Sequence, residues 1–273
     1  MMALKLIKII FFFLIITVIT QVGGIIYFCT LFFDSSIKKY SAGKRIFYKT
    51  GIFLSLYLVA TFTIIPILAE KNGRVPLPVN FGNLKPLTIW TCLLNRHYVK
   101  PELKILLEEV SESMNGQYPG TGISYLDANF PFFNGFPLLP HLSHEDGKKL
   151  DLAFYYYDDE TGKGLDYKAP SPIGYGGFEG PKKGEQNMPE ICQRKGFWQY
   201  GILGEIIPNW VFSSMKFDEK RTKKLIIELS RRKEIKKIFI EPHLRTRLGL
   251  NTGKVRFHGC HAVRHDDHIH IEI

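Results

Sequence analysis

The chain reads as an α+β protein: a small antiparallel sheet with flanking helices, preceded by two transmembrane helices. Three observations predict this. Ile9–Phe33 and Ile46–Leu68 are long apolar runs, each longer than the ~20 residues a helix needs to cross a bilayer. Residues 101–114 and 218–233 carry apolar side chains at helical spacing. Short stretches at 150–157, 235–241, 254–258 and 268–273 are apolar or alternate with period two, and turn-forming residues separate them, as strands require.

Residues 1–69 are expected to form a membrane hairpin with helices at about 9–33 and 46–68. The first run is too long for a signal-peptide core, and no small-x-small cleavage site follows it. The connector carries Lys38, Lys39, Lys44, Arg45 and Lys49 against Asp34 alone, whereas the N-terminus carries Lys5 and Lys8. Positive connectors stay in the cytoplasm. This places both termini outside and the C-terminal part beyond the inner (cytoplasmic) membrane, in the periplasm or another extracytoplasmic space.

Residues 70–100 read as a linker leading into the folded domain, since Asn72–Lys85 is rich in Pro, Gly and Asn. That domain is expected over 101–273. Pro101 suits a first helical turn, and Leu103, Leu106, Leu107, Val110 and Met114 form the inner stripe of the helix that follows. Residues 116–140 and 170–184 are glycine- and proline-rich loops, the first with four phenylalanines and the second with Tyr175 and Phe178. A long loop inside a domain is often functional, so 170–184 is expected to wall or cover a cleft. Asp218 can cap the next helix, whose inner stripe is Leu225, Ile226 and Leu229. Ile235–Glu241 reads as a strand, and 254–258 with 268–273 as a closing pair.

The formal charge of +10 points away from nucleic acid once it is divided. Seven basic residues and one acidic residue fall within the first 69, which leaves +4 for the rest, an ordinary value for solubility. A transporter or sensor is disfavoured, because apart from Lys49 at the edge of the second run the spans carry no charged residue to mark a path. Of four cysteines, Cys29 lies in the first run; any pair among Cys92, Cys192 and Cys260 could bridge in an oxidising space. His97 is expected at the surface, and His243 at a strand end.

Five of the nine histidines (His258, His261, His265, His268, His270) lie in the last sixteen residues. In a strand, His268 and His270 share one face while Ile269 and Ile271 pack behind it. Two imidazoles on one face need polar partners or a metal. Upstream, Asp146-Gly147 marks a turn that can fold His144 back beside a strand starting near Leu150. Asp151 then points away from the face of Leu150 and Leu152. His144, Asp151 and His270 would make a three-ligand zinc site with one open position, the layout of a catalytic site. Asp266 and Asp267 are placed to orient imidazoles.

The segment His141-Leu142-Ser143-His144-Glu145-Asp146-Gly147-Lys148-Lys149-Leu150-Asp151 resembles the His-x-Ser-His-x-x-Gly-x-x-x-Asp motif of the penicillin-insensitive murein endopeptidases. His265-Asp266-Asp267-His268-Ile269-His270 resembles that family's His-Asp-x-His-x-His motif, and Lys237–Pro242 is similar to the strand that precedes its last hairpin. The likeness covers roughly residues 125–273. It implies a hedgehog/D-Ala-D-Ala peptidase type of fold, zinc as cofactor held by His144, Asp151 and His270, and peptidoglycan peptide as substrate. It implies catalytic roles for His268, His265 and His141, with His268 acting as base or stabilising the tetrahedral intermediate. The same ligands also serve D-Ala-D-Ala carboxypeptidases and dipeptidases of the wider group. The hedgehog domain shows that this fold can keep zinc in a non-catalytic binding module. Two transmembrane helices depart from the family, whose members are soluble and exported.

Overall fold

Residues that alternate in the sequence alternate across the central sheet. In the computed structural model, which describes residues 2–80, 82–198, 200 and 214–273, six strands lie in the order β2-β4-β5-β10-β8-β9. These are β2 (Leu84–Pro86), β4 (Ile123–Tyr125), β5 (Lys149–Ala153), β8 (Lys237–Phe239), β9 (Val255–Arg256) and β10 (His268–Glu272). Two further ribbons pair β1 (Val75–Pro76) with β3 (Tyr98–Val99), and β6 (Tyr156–Asp158) with β7 (Met215–Phe217).

The fold class is α+β with flanking helices, and the sheet is mixed. β10 runs antiparallel to both β5 and β8, and β4 antiparallel to β5. The edges β2-β4 and β8-β9 are parallel, unlike the all-antiparallel expectation. Each parallel pair has a helix in its connection, Pro101–Gln117 in one and Pro242–Arg247 in the other. A crossover of that kind returns the chain in the same direction. The expected closing pair of 254–258 with 268–273 therefore does not form. β8 takes that edge of β10, and Val255 pairs with Ile238 instead. Leu84–Pro86, in the stretch whose composition reads as a linker, is the opposite edge strand.

The apolar face of the sheet is the core. Leu150 and Leu152 of β5 and Ile269 and Ile271 of β10 are fully buried, and they cluster with Leu103, Leu107, Val110 and Met114 of the 101–117 helix. Leu225, Ile226 and Leu229 of the helix Glu219–Arg231 join the same cluster. Asp218 caps that helix by accepting the Arg221 N–H at 2.9 Å.

The N-terminal part departs from a simple two-helix hairpin. Its first helix spans Met2–Thr20, and Gln21 breaks it in the left-handed region at φ 64. Gly23–Thr30 then folds back, so the run 9–33 is two helices and not one. Glycine permits the approach: a Cβ on Gly23 would lie 2.3 Å from Ile16 Cγ2, and one on Gly24 2.0 Å from Thr17 Oγ1. Gly24→Leu is accordingly expected to destabilise this packing by about 1–3 kcal/mol or more, read as a lower unfolding temperature of the full chain in detergent.

From Ala42 to Lys71 the chain is continuously helical, with a π turn at Ala60–Ile64. Pro66 supplies no N–H to the helical ladder there, which explains the irregular turn. Ala3–Thr20 and Ala42–Lys71 are long and apolar enough to cross a membrane. Contacts align the three segments antiparallel: Phe12 meets Tyr27, Lys49 pairs with Asp34 at 2.7 Å, and Val22 and Ile26 cluster with Tyr57 and Ala60. Lys5 and Lys8 thus lie at the same end of the bundle as the Lys38–Lys49 connector, opposite the folded domain, and the extra turn at Gln21 overturns the expectation that both termini lie on the side away from the connector.

Candidate metal centre

Strand register builds the site. In the antiparallel pair β5-β10, His270 stands opposite Asp151, while Ile269 opposes Leu152 and Ile271 opposes Leu150. Period-two alternation thus puts the carboxylate and His270 on one face and four aliphatic residues on the other. His268, opposite Ala153, shares the polar face. The third component comes from the loop before β5. Gly147 turns it at φ 83, and its N–H donates to Asn129 Oδ1 at 3.0 Å. That turn returns His144 to the sheet.

Three atoms form a triangle: His144 Nε2 to His270 Nδ1 is 3.0 Å, His270 Nδ1 to Asp151 Oδ1 is 2.9 Å, and His144 Nε2 to Asp151 Oδ1 is 3.3 Å. Ligand atoms about 2.0–2.1 Å from a tetrahedral zinc stand at comparable separations from one another. His141 Nδ1 approaches the other oxygen, Asp151 Oδ2, at 2.5 Å, so His141, His144 and Asp151 form a second possible metal group. The triangle through His270 is tighter around a single carboxylate oxygen; His141 occupies the far side of the carboxylate. These four residues and His268 are all buried.

The donor set fits a divalent cation. His144 Nδ1–H donates to the Ala128 carbonyl at 2.7 Å, which fixes the tautomer and leaves a bare lone pair on Nε2. Burial holds His144 below the usual imidazole range, which keeps that lone pair free. Burial opposes charge on Asp151, yet the imidazoles of His144, His268 and His141 outweigh it and hold the carboxyl well below its ordinary value. Aspartate and neutral imidazole are the protonation states that ligate metals. Burial favours that state in His270 too, but Asp151 and Glu272 outweigh it and raise the imidazole, so a cation bound there would displace a proton.

His268 lies beside this group. Its Nδ1–H donates to Asp267 Oδ1 at 2.5 Å, and Asp267 Oδ2 accepts the Gly176 N–H at 2.7 Å. Its Nε2 lies 3.7 Å from Asp151 Oδ1 and has no hydrogen-bond partner among the described residues. Burial disfavours the imidazolium, but Asp151 and Asp267 outweigh it and raise His268 to about 9. Asp267 therefore orients an imidazole, whereas Asp266 is bound by Arg264 at 2.6 Å.

His265 is buried among imidazoles, 5.0 Å from His268 and 5.6 Å from His270 between ring centres. Burial first, then His268 and His270, keep it well below the ordinary range and so neutral. A cleft of about 450 Å³ opens beside the group, lined by His141, His144, His258, His261, His265 and His270 together with Leu142 and Val263.

Tyr175 is the residue that sequence reasoning placed only in a loop. Its hydroxyl donates to Asp151 Oδ2 at 2.8 Å and accepts the Asp127 N–H at 3.1 Å. The loop 170–184 is thus fastened to the site through Asp151 and Asp267. Tyr175→Phe removes one partner of the candidate ligating carboxylate, and affinity for an added divalent cation such as zinc is expected to fall about 10- to 100-fold, measured by competition with a chromogenic chelator.

Cys192 and Cys260 form a disulfide, which removes Cys260 from any second metal group with His258 and His261. Cys92 stays a buried thiol, pushed up to about 11 by burial. His97 is buried, not at the surface, and burial lowers it to about 3. His243 Nε2 donates to the Glu179 carbonyl at 2.7 Å, and Arg247 is engaged by Glu185 at 2.6 Å.

Behind the site, Glu241 accepts the His265 N–H at 3.2 Å and the Tyr200 hydroxyl. Burial, aided by Asp266, raises its carboxyl from 4.5 to about 7. Between those values the folded chain holds a proton the unfolded chain has lost. The contribution is therefore complete below pH 4.5 and is lost as pH rises through 7. Wild type is expected to lose on the order of 3 kcal/mol over that window relative to Glu241→Gln, read from denaturant midpoints of both chains across the pH range.

No protein-family model matches the chain, and no curated protein matches it at a significant level.

Proposed function

We propose that this protein is a membrane-tethered zinc peptidase that hydrolyses amide bonds in peptidoglycan cross-links. The observation that carries the reading is the buried triangle of His144 Nε2, His270 Nδ1 and Asp151 Oδ1 at the edge of an open cleft. These three atoms would hold the ion. Bound there, zinc would supply an acidified water and a polarised carbonyl. His268 holds or moves a proton at Nε2, the ring nitrogen that faces Asp151. In its cationic form it stabilises a developing oxyanion, and it can pass its proton to the leaving amine. His265 and His141 both line the cleft.

The motif order His-x-Ser-His…Asp and His-Asp-x-His-x-His supports the murein endopeptidase family and, with it, the hedgehog/D-Ala-D-Ala peptidase type of fold. A carboxypeptidase binds a terminal carboxylate, which calls for a guanidinium or ammonium. Arg264 lines the adjoining pocket beside His141 and His268, although Asp266 engages it at 2.6 Å; a carboxypeptidase of the same group is therefore the second reading. For sidedness, Lys5 and Lys8 share an end with the connector, so one cytoplasmic face for both satisfies the positive-inside rule without a conflicting N-terminus. The domain then lies on the extracytoplasmic side.

The test uses the full chain in detergent micelles, loaded with zinc and incubated with purified sacculi and cross-linked muropeptides. Mass spectrometry is expected to show cleavage at the cross-link amide, abolished by chelator and restored by zinc. A chain that binds one zinc yet leaves both substrates intact would overturn the reading.

A further inference from the structure

We propose that the folded domain is seated in the lipid interface, with its cleft mouth at the membrane surface, so that the site takes a lipid-anchored peptide. The substrate half of this inference rests on the hydrolase reading; the seating half does not.

The helix Ala42–Lys71 has 30 residues, about 45 Å at 1.5 Å per residue, against a hydrocarbon core of about 30 Å. Its inner face is taken by the protein. Tyr57, Ala60, Ile65 and Ala69 are buried in a cluster with Val22, Ile26 and Tyr98. Its outer face stays apolar and open as far as Leu68, through Leu58, Val59, Phe62, Ile64 and Ile67. The domain reaches far down this helix. The Tyr57 hydroxyl donates to the Leu93 carbonyl at 2.7 Å and accepts from Asn95 Nδ2 at 2.9 Å. Tyr57 lies fourteen residues before Lys71, about 21 Å along the axis. Domain residues 93–95 are therefore level with a part of the helix whose opposite face is built for lipid.

Some of the domain's exposed apolar side chains lie in the segments that touch the helices, while Ile105, Ile173 and Trp198 are exposed elsewhere. Ile89 and Trp90 are about half exposed (49% and 53%) on the short helix Ile89–Leu93 that meets Tyr57. Phe133 is 68% exposed, next to Phe132, whose N–H donates to Gln21 Oε1 at 2.9 Å. Tryptophan and exposed apolar groups in such a position match a membrane interface. The occupant inferred for this patch is the bilayer surface, because the patch is continuous with the apolar face of the helices.

The cleft is fastened to the C-terminal end of the same helix. Arg74 stands three residues beyond Lys71, and its guanidinium donates to the Phe130 carbonyl, to Asn134 Oδ1 at 2.5 Å and to the Glu145 carbonyl at 2.9 Å. One buried side chain thus clamps both ends of the 130–145 loop, next to His144, against the end of the membrane helix. Leu139 and Leu142 are exposed along the same loop, and Leu142 lines the cleft. An amide presented from a lipid headgroup reaches this mouth without leaving the interface.

The test puts the full zinc-loaded chain into phosphatidylethanolamine–phosphatidylglycerol vesicles, with Trp198→Phe and Trp210→Phe leaving Trp90 as the only tryptophan. Lipids brominated near the top of the acyl chains are expected to quench Trp90 emission strongly. The same cross-linked D-alanine–diaminopimelate peptide is then offered free or coupled to a vesicle lipid. The coupled form is expected to be cut at least about tenfold faster, through its higher local concentration and alignment. Trp90→Asp and Phe133→Asp, in the tryptophan-containing chain, are expected to remove that advantage and leave cleavage of the free peptide unchanged. Unquenched Trp90 overturns the seating, as does Trp90 shielded from bromine in a concentration-dependent way, which would mean a second copy covers it. Equal rates on the two peptides overturn the substrate class. Quenched Trp90 with neither peptide cut sinks the hydrolase reading, and with it the substrate half, while the seating stands.

Discussion

Asp151→Ala is expected to empty the site and to abolish hydrolysis, with activity falling by on the order of 10³ or more. The carboxylate is the common partner of the whole group: His141, His144, His270 and Tyr175 all lie within 3.3 Å of one of its oxygens. Its loss removes one ligand and leaves several buried imidazoles without a counter-charge. Removing one member of a buried charged group destabilises proteins by about 3–5 kcal/mol. Zinc content by elemental analysis should therefore drop together with the unfolding temperature. Asp151→Asn separates the two effects, because the amide keeps the volume and an acceptor oxygen but not the charge. Its fold should survive better than that of the alanine variant while zinc binding is still lost. Full zinc occupancy in Asp151→Ala would contradict the proposed centre.

His268→Ala is expected to behave in the opposite way with respect to metal. His268 Nε2 lies 3.7 Å from Asp151 Oδ1, farther than the triangle's atoms lie from one another, and its Nδ1–H is held by Asp267. Zinc stoichiometry should stay at one per chain. The turnover rate should fall about 10²- to 10⁴-fold, the usual contribution of a positioned proton carrier. KM should move little, because the cleft walls are unchanged. A variant that loses zinc, or keeps wild-type turnover, would remove His268 from the chemistry. Asp267→Asn is the companion: it weakens the 2.5 Å bond that orients the ring, and a smaller loss in the same direction is expected.

Much of this architecture is legible in the chain because period-two patterns carry their own geometry. Leu150, Asp151 and Leu152, and the series His268 to Ile271, state which side chains share a face, and the register places Asp151 against His270 accordingly. The same holds for the inner stripes of the helices Pro101–Gln117 and Glu219–Arg231, whose apolar residues are all buried. What the pattern does not state is which strands become neighbours. Val255 has strand chemistry in either arrangement; the helix between β8 and β9 decides for the parallel one.

Composition also hides breaks inside apolar runs. The turn at Gln21 is masked by apolar neighbours on both sides, and only the Gly23-Gly24 pair hints at close helix packing. His97 illustrates a third limit. A histidine among polar neighbours reads as exposed, yet it is buried beside Tyr98, 4.6 Å between ring centres, where the domain meets the long apolar helix Ala42–Lys71. Tyr175 escaped for a related reason: a loop gives no periodicity, so nothing local shows that its hydroxyl ends on Asp151.

Because the ion's prospective donors come from facing positions of two neighbouring strands, the pleat itself acts as a ruler. Sliding His268–Glu272 by a single residue against Lys149–Ala153 would turn isoleucines toward the cleft and drive imidazoles into the aliphatic interior. Mispairing is then penalised twice, once in the core and once in the lost donor set. Single-residue deletions in either strand should therefore be far more damaging than most point changes there.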